Sequence, residues 1–541
     1  MRSRPSAGTR PPIAGDAVAA LVLLAGGAAL VLHFGRLGFM PLDQSIVFDG
    51  AWRILSGQVP YRDFSTPSGV TPIVMQAPLF ALLGPTWLAY CLHAAIVNGL
   101  FCVTVFLVLR TFATPLLPAV AYALASGVLL YPPIGTPYLE QHAFFFLLLA
   151  LLLLLRACTV VSPGHTLALA ALVPPTLVAA FLAKQNVVLF GSLALLAVAL
   201  LAPRDLAQAR RVLVGGAAGL LASLGALVAL GLALGVDPAM AANGLLWLPI
   251  DTGVAREVRV DRMARSLAFM LSSQVAAVAG IALLAVVAAR HARQRLLGRG
   301  GGLHRTALLA LVLALALLAT CLLFLANTKN HPANGCPYFF LALGLTHQAA
   351  RTLLPAGLRR GAEAGLGAIC MLVLGLDVWS FTARVNAPRM VNDLVFLPAL
   401  AARPATRELS FLRLQTPRRS GVTAPDLDRL VSFLRERGED FFLLGDSSIL
   451  YALSGRPSLS PSLWFHPGLT FPAPGAPGFA EWDAEIGRRI LAGNVRWVVL
   501  EGPETWMRVR LDQIPSLARA VRETGEVRTR FGPFTVIELR R

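Results

Sequence analysis

The stretch "PLDQSIVFDGAWRILSGQVPYRDF", residues 41–64, decides how this chain is read. It places Asp43, Asp49 and Asp63, with Arg53 and Arg62, between two segments apolar enough for lipid. Ile46, Val47, Gly50, Ala51, Ile54 and Leu55 recur at helical spacing, so one face can rest on lipid or on other helices. Asp49 and Arg53 are four residues apart and share the opposite face. That is the pattern of a short helix lying in a membrane interface. Asp43 stands at its start, where a carboxylate meets free backbone N–H groups. Ser56-Gly57-Gln58 ends the helix, and "VPYRDFSTPSG" (59–69) continues as extended chain and turn. "VTPIVMQAPLFALLG" (70–84) is short for a span and reads as a re-entrant or interfacial piece.

The chain around this stretch is built for a bilayer. Only 14% of its 541 residues are charged, and its mean hydropathy is +0.66, which excludes an ordinary soluble enzyme. Apolar runs at 17–34, 86–109, 115–131, 138–155, 165–183, 186–202, 212–235, 266–289, 306–326, 337–350 and 363–382 give eleven candidate spans. Pro174 and Pro175 interrupt the fifth, a break that neighbouring helices tolerate. With the N-terminus inside, the inner connections carry about twice as many basic residues as the outer ones. An odd number of spans then puts the C-terminal region outside. The net charge of +18 is therefore topological, and no basic segment is interleaved with exposed aromatics as nucleic-acid binding requires. The six cysteines lack the paired spacing of a zinc site. The basic N-terminus lacks a clear cleavage site after its apolar run and reads as an uncleaved first span.

Two domains follow: a membrane domain over 1–382, with its outer loop at 35–85, and an outward α/β domain over 383–541. In the second, "APDLDRLVSFLRERG" (424–438) is an amphipathic helix with Thr423 as its N-cap. "DFFLLGD" (440–446), "VRWVVLEG" (495–502) and "FTVIELR" (534–540) read as strands, with helices near 480–492 and 506–523 between them. "FPAPGAPG" (471–478) is a loop.

An acidic residue just past the first span, then "AWRILSGQVPYRDF", then an apolar piece, resembles the first outer loop of GT-C-fold membrane glycosyltransferases. The similarity is to the branch of protein O-mannosyltransferases, lipid A aminoarabinose transferases and Rgt-type (family 39-like) enzymes. It extends to "YPPIGTPYLEQHAFFFLLLALLLLLR" (131–156), "LVAAFLAKQNVVLF" (177–190) and "LLGDSSILYALSGRP" (443–457). The resemblance implies an α-helical polytopic GT-C-like fold with a small C-terminal α/β domain on the outer side. It also implies transfer of a sugar from a polyprenyl-phosphate carrier to a hydroxyl of a lipid, glycan or protein acceptor, in a bacterial inner membrane.

By position, the family's acidic residue is Asp43, with Glu140 as the acidic residue of the second outer loop. The family often has Asp-Glu where this chain has Asp43-Gln44, which puts the second carboxylate's role in doubt. An ionised carboxylate within reach of an acceptor hydroxyl takes its proton, and a lipid phosphate leaving group needs cations in a dry site. Lys184, Arg53, Arg62 and Lys329 are the donor-phosphate candidates, with Asp49, Tyr61 and Asp63 shaping the loop or the acceptor site. No residue is assigned as a metal ligand. Some relatives use a divalent ion, and one between Asp43 and Glu140 stays open; His331 and Cys336 alone are weak evidence for a metal site. Each residue also has a structural reading. Asp43 and Glu140 can be helix caps, Asp49 a surface partner of Arg53, Asp63 a turn residue beside Arg62, and Lys184 a snorkelling lysine. A transporter would place charge near the bilayer midplane and show paired halves, whereas here charge collects at the outer face. A non-catalytic envelope assembly protein is the remaining alternative.

Overall fold

The computed structural model of the chain describes residues 14–131, 134–255, 305–328, 335–353, 403–413, 422–493, 495–502 and 509–540, with isolated positions at 261, 264–265, 268, 371–372, 374–376 and 378–379. The expected spans 266–289 and 363–382 lie outside the described residues apart from such positions, as do Lys329 and His331.

Helices dominate, because in lipid only a helix or a closed barrel satisfies its own backbone. They are α1 (Ala14–Gly35), α2 (Pro41–Leu55), α3 (Val70–Leu83), α4 (Trp87–Thr111), α5 (Leu116–Leu130), α6 (Leu139–Thr159), α7 (Pro163–Ala171), α8 (Val173–Ala183), α9 (Gln185–Leu201) and α10 (Leu206–Ala233). After α11 (Pro238–Ala242), a π-turn at Asn243–Trp247 and α12 (Leu248–Ala255) come α13 (Arg305–Asn327) and α14 (Phe339–Leu353). Among the described residues, α1, α4, α6, α7 with α8, α10 and α13 are long and apolar enough to cross a bilayer. The chain is a polytopic membrane protein. Helices α1 and α4 approach closely because a Cβ at Gly27 would lie 3.0 Å from the Gly99 backbone. Asn98 donates its side-chain N–H to the Gly27 carbonyl across that seam.

The C-terminal region is an α/β layer. It contains α15 (Ala424–Arg437), β1 (Phe441–Leu444), α16 (Ile449–Ser454), α17 (Phe479–Ala492), β2 (Trp497–Glu501), α18 (Pro515–Thr524), β3 (Gly525–Phe531) and β4 (Phe534–Leu539). The sheet order is β1-β2-β4-β3; β1 and β2 are parallel, and β4 runs antiparallel to both its neighbours. Thr423 caps α15 by accepting the Asp426 N–H. Strand β3 was not expected, since "GEVRTRF" exposes alternate charged residues at a sheet edge.

The first outer loop does not lie open on the membrane. Phe39, Leu42, Ile46 and Phe48 of this loop share one apolar core with Leu430, Tyr451 and Trp497 of the α/β layer. This corrects the reading of Asp49 and Arg53 as an exposed pair: both are buried, at 0% and 1% exposure. Arg53 donates Nε–H to Asp49 at 2.9 Å, Nη1–H to the Ser460 carbonyl at 2.7 Å and Nη2–H to the Ser462 carbonyl at 3.4 Å. Its guanidinium also lies 4.9 Å from the Phe64 ring centroid. Trp52 donates to the Arg456 carbonyl and Gln58 to the Ser458 carbonyl, both at 2.8 Å.

Arg53→Ala leaves Asp49 buried without its cation, and stability should fall by about 3–5 kcal/mol. The double variant Asp49→Leu with Arg53→Met should cost less than the single one. Thermal unfolding in detergent checks this; an Arg53→Ala protein as stable as wild type would remove the pair as the clamp.

Candidate functional site

The site is assembled where the start of α6 meets the connection between α8 and α9. Loop 131–138 leads into α6, whose first turn carries Glu140, and the break between α8 and α9 carries Lys184. Lys184 sits in extended backbone (φ −161°, ψ 113°), so its side chain leaves the helix line. Its Nζ lies 3.5 Å from Glu140 Oε1; Glu140 is buried and the Lys184 side chain is 23% exposed. Two residues singled out separately in the sequence are thus brought together.

The break is held by its neighbours. Gly69 donates its N–H to the Leu182 and Ala183 carbonyls, both at 3.1 Å. Gly69 has φ +93°, and a Cβ there would lie 2.4 Å from Leu139 on α6, so only glycine fits this crossing without displacing that side chain. Gln185 donates to the Pro67 and Leu245 carbonyls at 2.8 and 3.1 Å. Beside the break an apolar groove of about 700 Å³ runs between α8 and α10. Leu177, Phe181, Leu182, Leu220, Leu224 and Leu245 are among its lining residues. Leu182 and Leu245 thus join the groove's wall to the backbone around Lys184.

Asp43 lies in the first turn of α2, where the dipole favours negative charge. It is not the N-cap: that position is Met40, and its N–H is taken by Gln44 Oε1 at 2.7 Å. Gln44 Nε2 donates to the Ile134 carbonyl at 2.8 Å, tying α2 to the loop that precedes Glu140.

The remaining expected residues have structural surroundings. Arg53 and Asp49 are buried together, with Arg53 held by the Ser460 and Ser462 carbonyls. Arg62 is half-exposed and donates to Asp63, to Leu234 O and to Gly57 O. Asp63 accepts the Val59 N–H at 2.7 Å and closes the turn. Burial alone would raise its carboxyl, but the Arg62 and Val59 hydrogen bonds, together with the charges of Arg62 and Arg489, hold it below the ordinary carboxylate range. Tyr61 adopts φ +61°, rare for a non-glycine residue, and its hydroxyl donates to Thr66 O at 2.8 Å. Lys329 lies outside the described residues. Lys184 is the candidate cation that meets a carboxylate, Glu140, at 3.5 Å. Among the described residues, no group of three or more His, Cys, Asp or Glu stands together, and Glu140 already faces an ammonium.

Sequence reading missed a buried polar layer next to the site. The Tyr131 hydroxyl lies 2.6 Å from His142 Nδ1, His142 Nε2 lies 3.0 Å from His93 Nε2, and His93 Nδ1 lies 3.0 Å from Gln76 Oε1. The available signal was the cost of polar side chains inside apolar runs.

No protein-family model matches the chain, and no curated protein sequence does. Solved structures do. The apo crystal structure of ArnT from Cupriavidus metallidurans aligns with a TM-score of 0.55 at 13% identity, covering 96% of this chain and 98% of that one. The crystal structure of ArnT from the same organism bound to undecaprenyl phosphate gives a TM-score of 0.57 at 13% identity, covering 97% of each chain. The likeness is one of fold, and it spans both the membrane bundle and the α/β layer. The α-helical, GT-C-like membrane architecture implied by the resemblance is the architecture of this chain.

Gln44→Glu tests whether the amide at this position is the strut between α2 and the loop before α6. A carboxylate cannot donate to the Ile134 carbonyl, so the variant should lose about 1–3 kcal/mol of stability. A thermal shift in detergent that leaves the melting temperature unchanged would mean that Gln44 is not the strut.

Proposed function

We propose that this protein is a glycosyltransferase that moves a sugar from a polyprenyl-phosphate carrier to a hydroxyl acceptor at the outer face of the membrane. The observation that carries the reading is the Lys184–Glu140 pair, 3.5 Å apart, at a helix break that adjoins the apolar groove. A long isoprenoid chain needs an apolar groove open to lipid, and its phosphate needs a cation at the groove's end. The likeness to ArnT, one structure of which is bound to undecaprenyl phosphate, supports the same assignment.

In this proposal Asp43 accepts the proton of the acceptor hydroxyl. The acceptor oxygen forms a bond to the anomeric carbon, and the bond from that carbon to the phosphate oxygen breaks. The electron pair leaves with the polyprenyl phosphate, whose added charge Lys184 stabilises. Glu140 orients Lys184 and keeps its ammonium at the groove end before the carrier arrives. The α/β layer stands on the outer side, as the excess of basic residues on the opposite connections suggests. It covers the first outer loop and so shapes the acceptor's approach, whether that acceptor is a lipid, a glycan or a protein.

Protein in liposomes, supplied with a panel of polyprenyl-phosphate sugars and envelope extract as acceptor, tests this. Asp43→Asn should lower transfer about 10²–10⁴-fold with carrier affinity retained. Lys184→Met should weaken carrier binding. Normal transfer by Asp43→Asn would show that the wrong carboxylate has been named.

A further inference from the structure

At the end of the bundle that holds Lys184, a second set of groups has no use in the chemistry above. Gln141, next to Glu140 on α6, is 1% exposed, and neither its Nε2 nor its Oε1 has a hydrogen-bond partner. Thr328, just past the end of α13, is 3% exposed with its hydroxyl likewise unpaired. Asn186, two residues past Lys184, donates to Asn327 Oδ1 at 3.1 Å, while its own buried Oδ1 has no partner.

These residues share one place. Phe144 lies one turn along α6 from Gln141, and Phe324 lies one turn along α13 from Thr328, whose N–H bonds to the Phe324 carbonyl. The two rings meet edge to face with centroids 5.3 Å apart. The Asn186–Asn327 bond ties α9 to the same end of α13, and the Lys184–Glu140 pair ties it to α6.

Buried amides and hydroxyls are almost always satisfied, and leaving one unpaired in a dry site is costly. Here two donor groups, the Gln141 amide and the Thr328 hydroxyl, and three acceptors, Gln141 Oε1, Asn186 Oδ1 and the same hydroxyl, are unpaired beside the cation assigned to the phosphate. We propose that Gln141, Asn186 and Thr328 receive the sugar of the lipid-linked donor, and that this sugar carries no charged substituent; the inference rests on the function proposed above. A sugar ring presents hydroxyls that both donate and accept, which is what a mixed set of amide and hydroxyl groups recognises. Among the described residues, the cluster's charges are Lys184 and Glu140, which face each other. An ammonium or carboxylate on the sugar would be desolvated against neutral amides, with no counter-charge of its own among the described residues. The phosphate would lie at Lys184, with the sugar on the side of α6 and α13.

The test uses the full chain in nanodiscs. Three probes are compared: undecaprenyl phosphate alone, undecaprenyl phosphate carrying a neutral hexose or pentose, and undecaprenyl phosphate carrying an amino sugar. Wild type should bind a neutral-sugar carrier about tenfold tighter than the bare carrier, as two added hydrogen bonds to neutral groups allow. It should bind the amino-sugar carrier no tighter than the bare one. Gln141→Leu should erase the tenfold gain and still bind the bare carrier. It should also raise the melting temperature, because it removes an unsatisfied buried amide; Thr328→Val should act in the same direction. The inference is overturned if the sugar adds no affinity in wild type, which is the result if only water fills the cluster. It is equally overturned if the amino sugar is preferred, or if Gln141→Leu melts lower and loses the bare carrier. In the first two of these outcomes the carrier still binds, so the proposed function stands. A wild-type protein that binds none of the three probes would sink both.

Discussion

A guanidinium taken out of water must place its donors, and the Arg53 side chain does so against partners far away in sequence. Asp49 takes one N–H, the Ser460 and Ser462 carbonyls take two more, and the Phe64 ring covers a face. An unpaired buried charge costs several kcal/mol, so this arrangement fixes the α/β layer on α2 far more firmly than apolar contact alone would. Fixing α2 also fixes its first turn, and with it Asp43 and Gln44. The layer that covers the loop therefore decides where the site's acidic turn points.

The second constraint is the interruption between α8 and α9. A tight connection between two spans must have its freed backbone groups satisfied by other protein groups. Here the Lys184 N–H still reaches Ala180 O, Gly69 supplies an N–H to two carbonyls before the break, and Gln185 spans two further segments. The segment from α2 to Gly69 thus takes part twice: it packs against the α/β layer, and it holds the connection between α8 and α9. Lys184 is displaced from the helix line by this construction, which is why its ammonium meets Glu140 beside the apolar groove.

The bundle was legible in the sequence because lipid imposes length and hydropathy on every span. The helices α1, α4, α5, α6, α9 and α13 fall on expected runs, and the break before Pro174 and Pro175 is where proline lacks a needed N–H only outside a helix interior. In the α/β layer, the Thr423 cap and the three apolar strands were legible for the same kind of local reason. Strand β3 was not, because its apolar pattern is replaced by charge at a free edge. The burial of Asp49 and Arg53 was not legible either. An i,i+4 ion pair looks alike on a surface and under a domain, and the carbonyls that decide the matter come from residues 460 and 462. Gln141 and the His142–His93 pair stood in plain sight as polar residues in apolar runs, yet their partners, or lack of them, depend on helices distant in sequence.

The departure at position 44 gains a physical meaning from these contacts. An acid there could accept the Met40 N–H but could not donate to the Ile134 carbonyl; an amide does both. The loop that Gln44 grips runs on through Tyr138 into α6, whose second residue is Glu140. The Gln44 side chain is thus the strut between the turn bearing Asp43 and the helix bearing Glu140. A reaction here that calls on two carboxylates would not find them side by side in one turn. It would draw them from two segments whose relative position depends on a single amide, with Lys184 already beside the second.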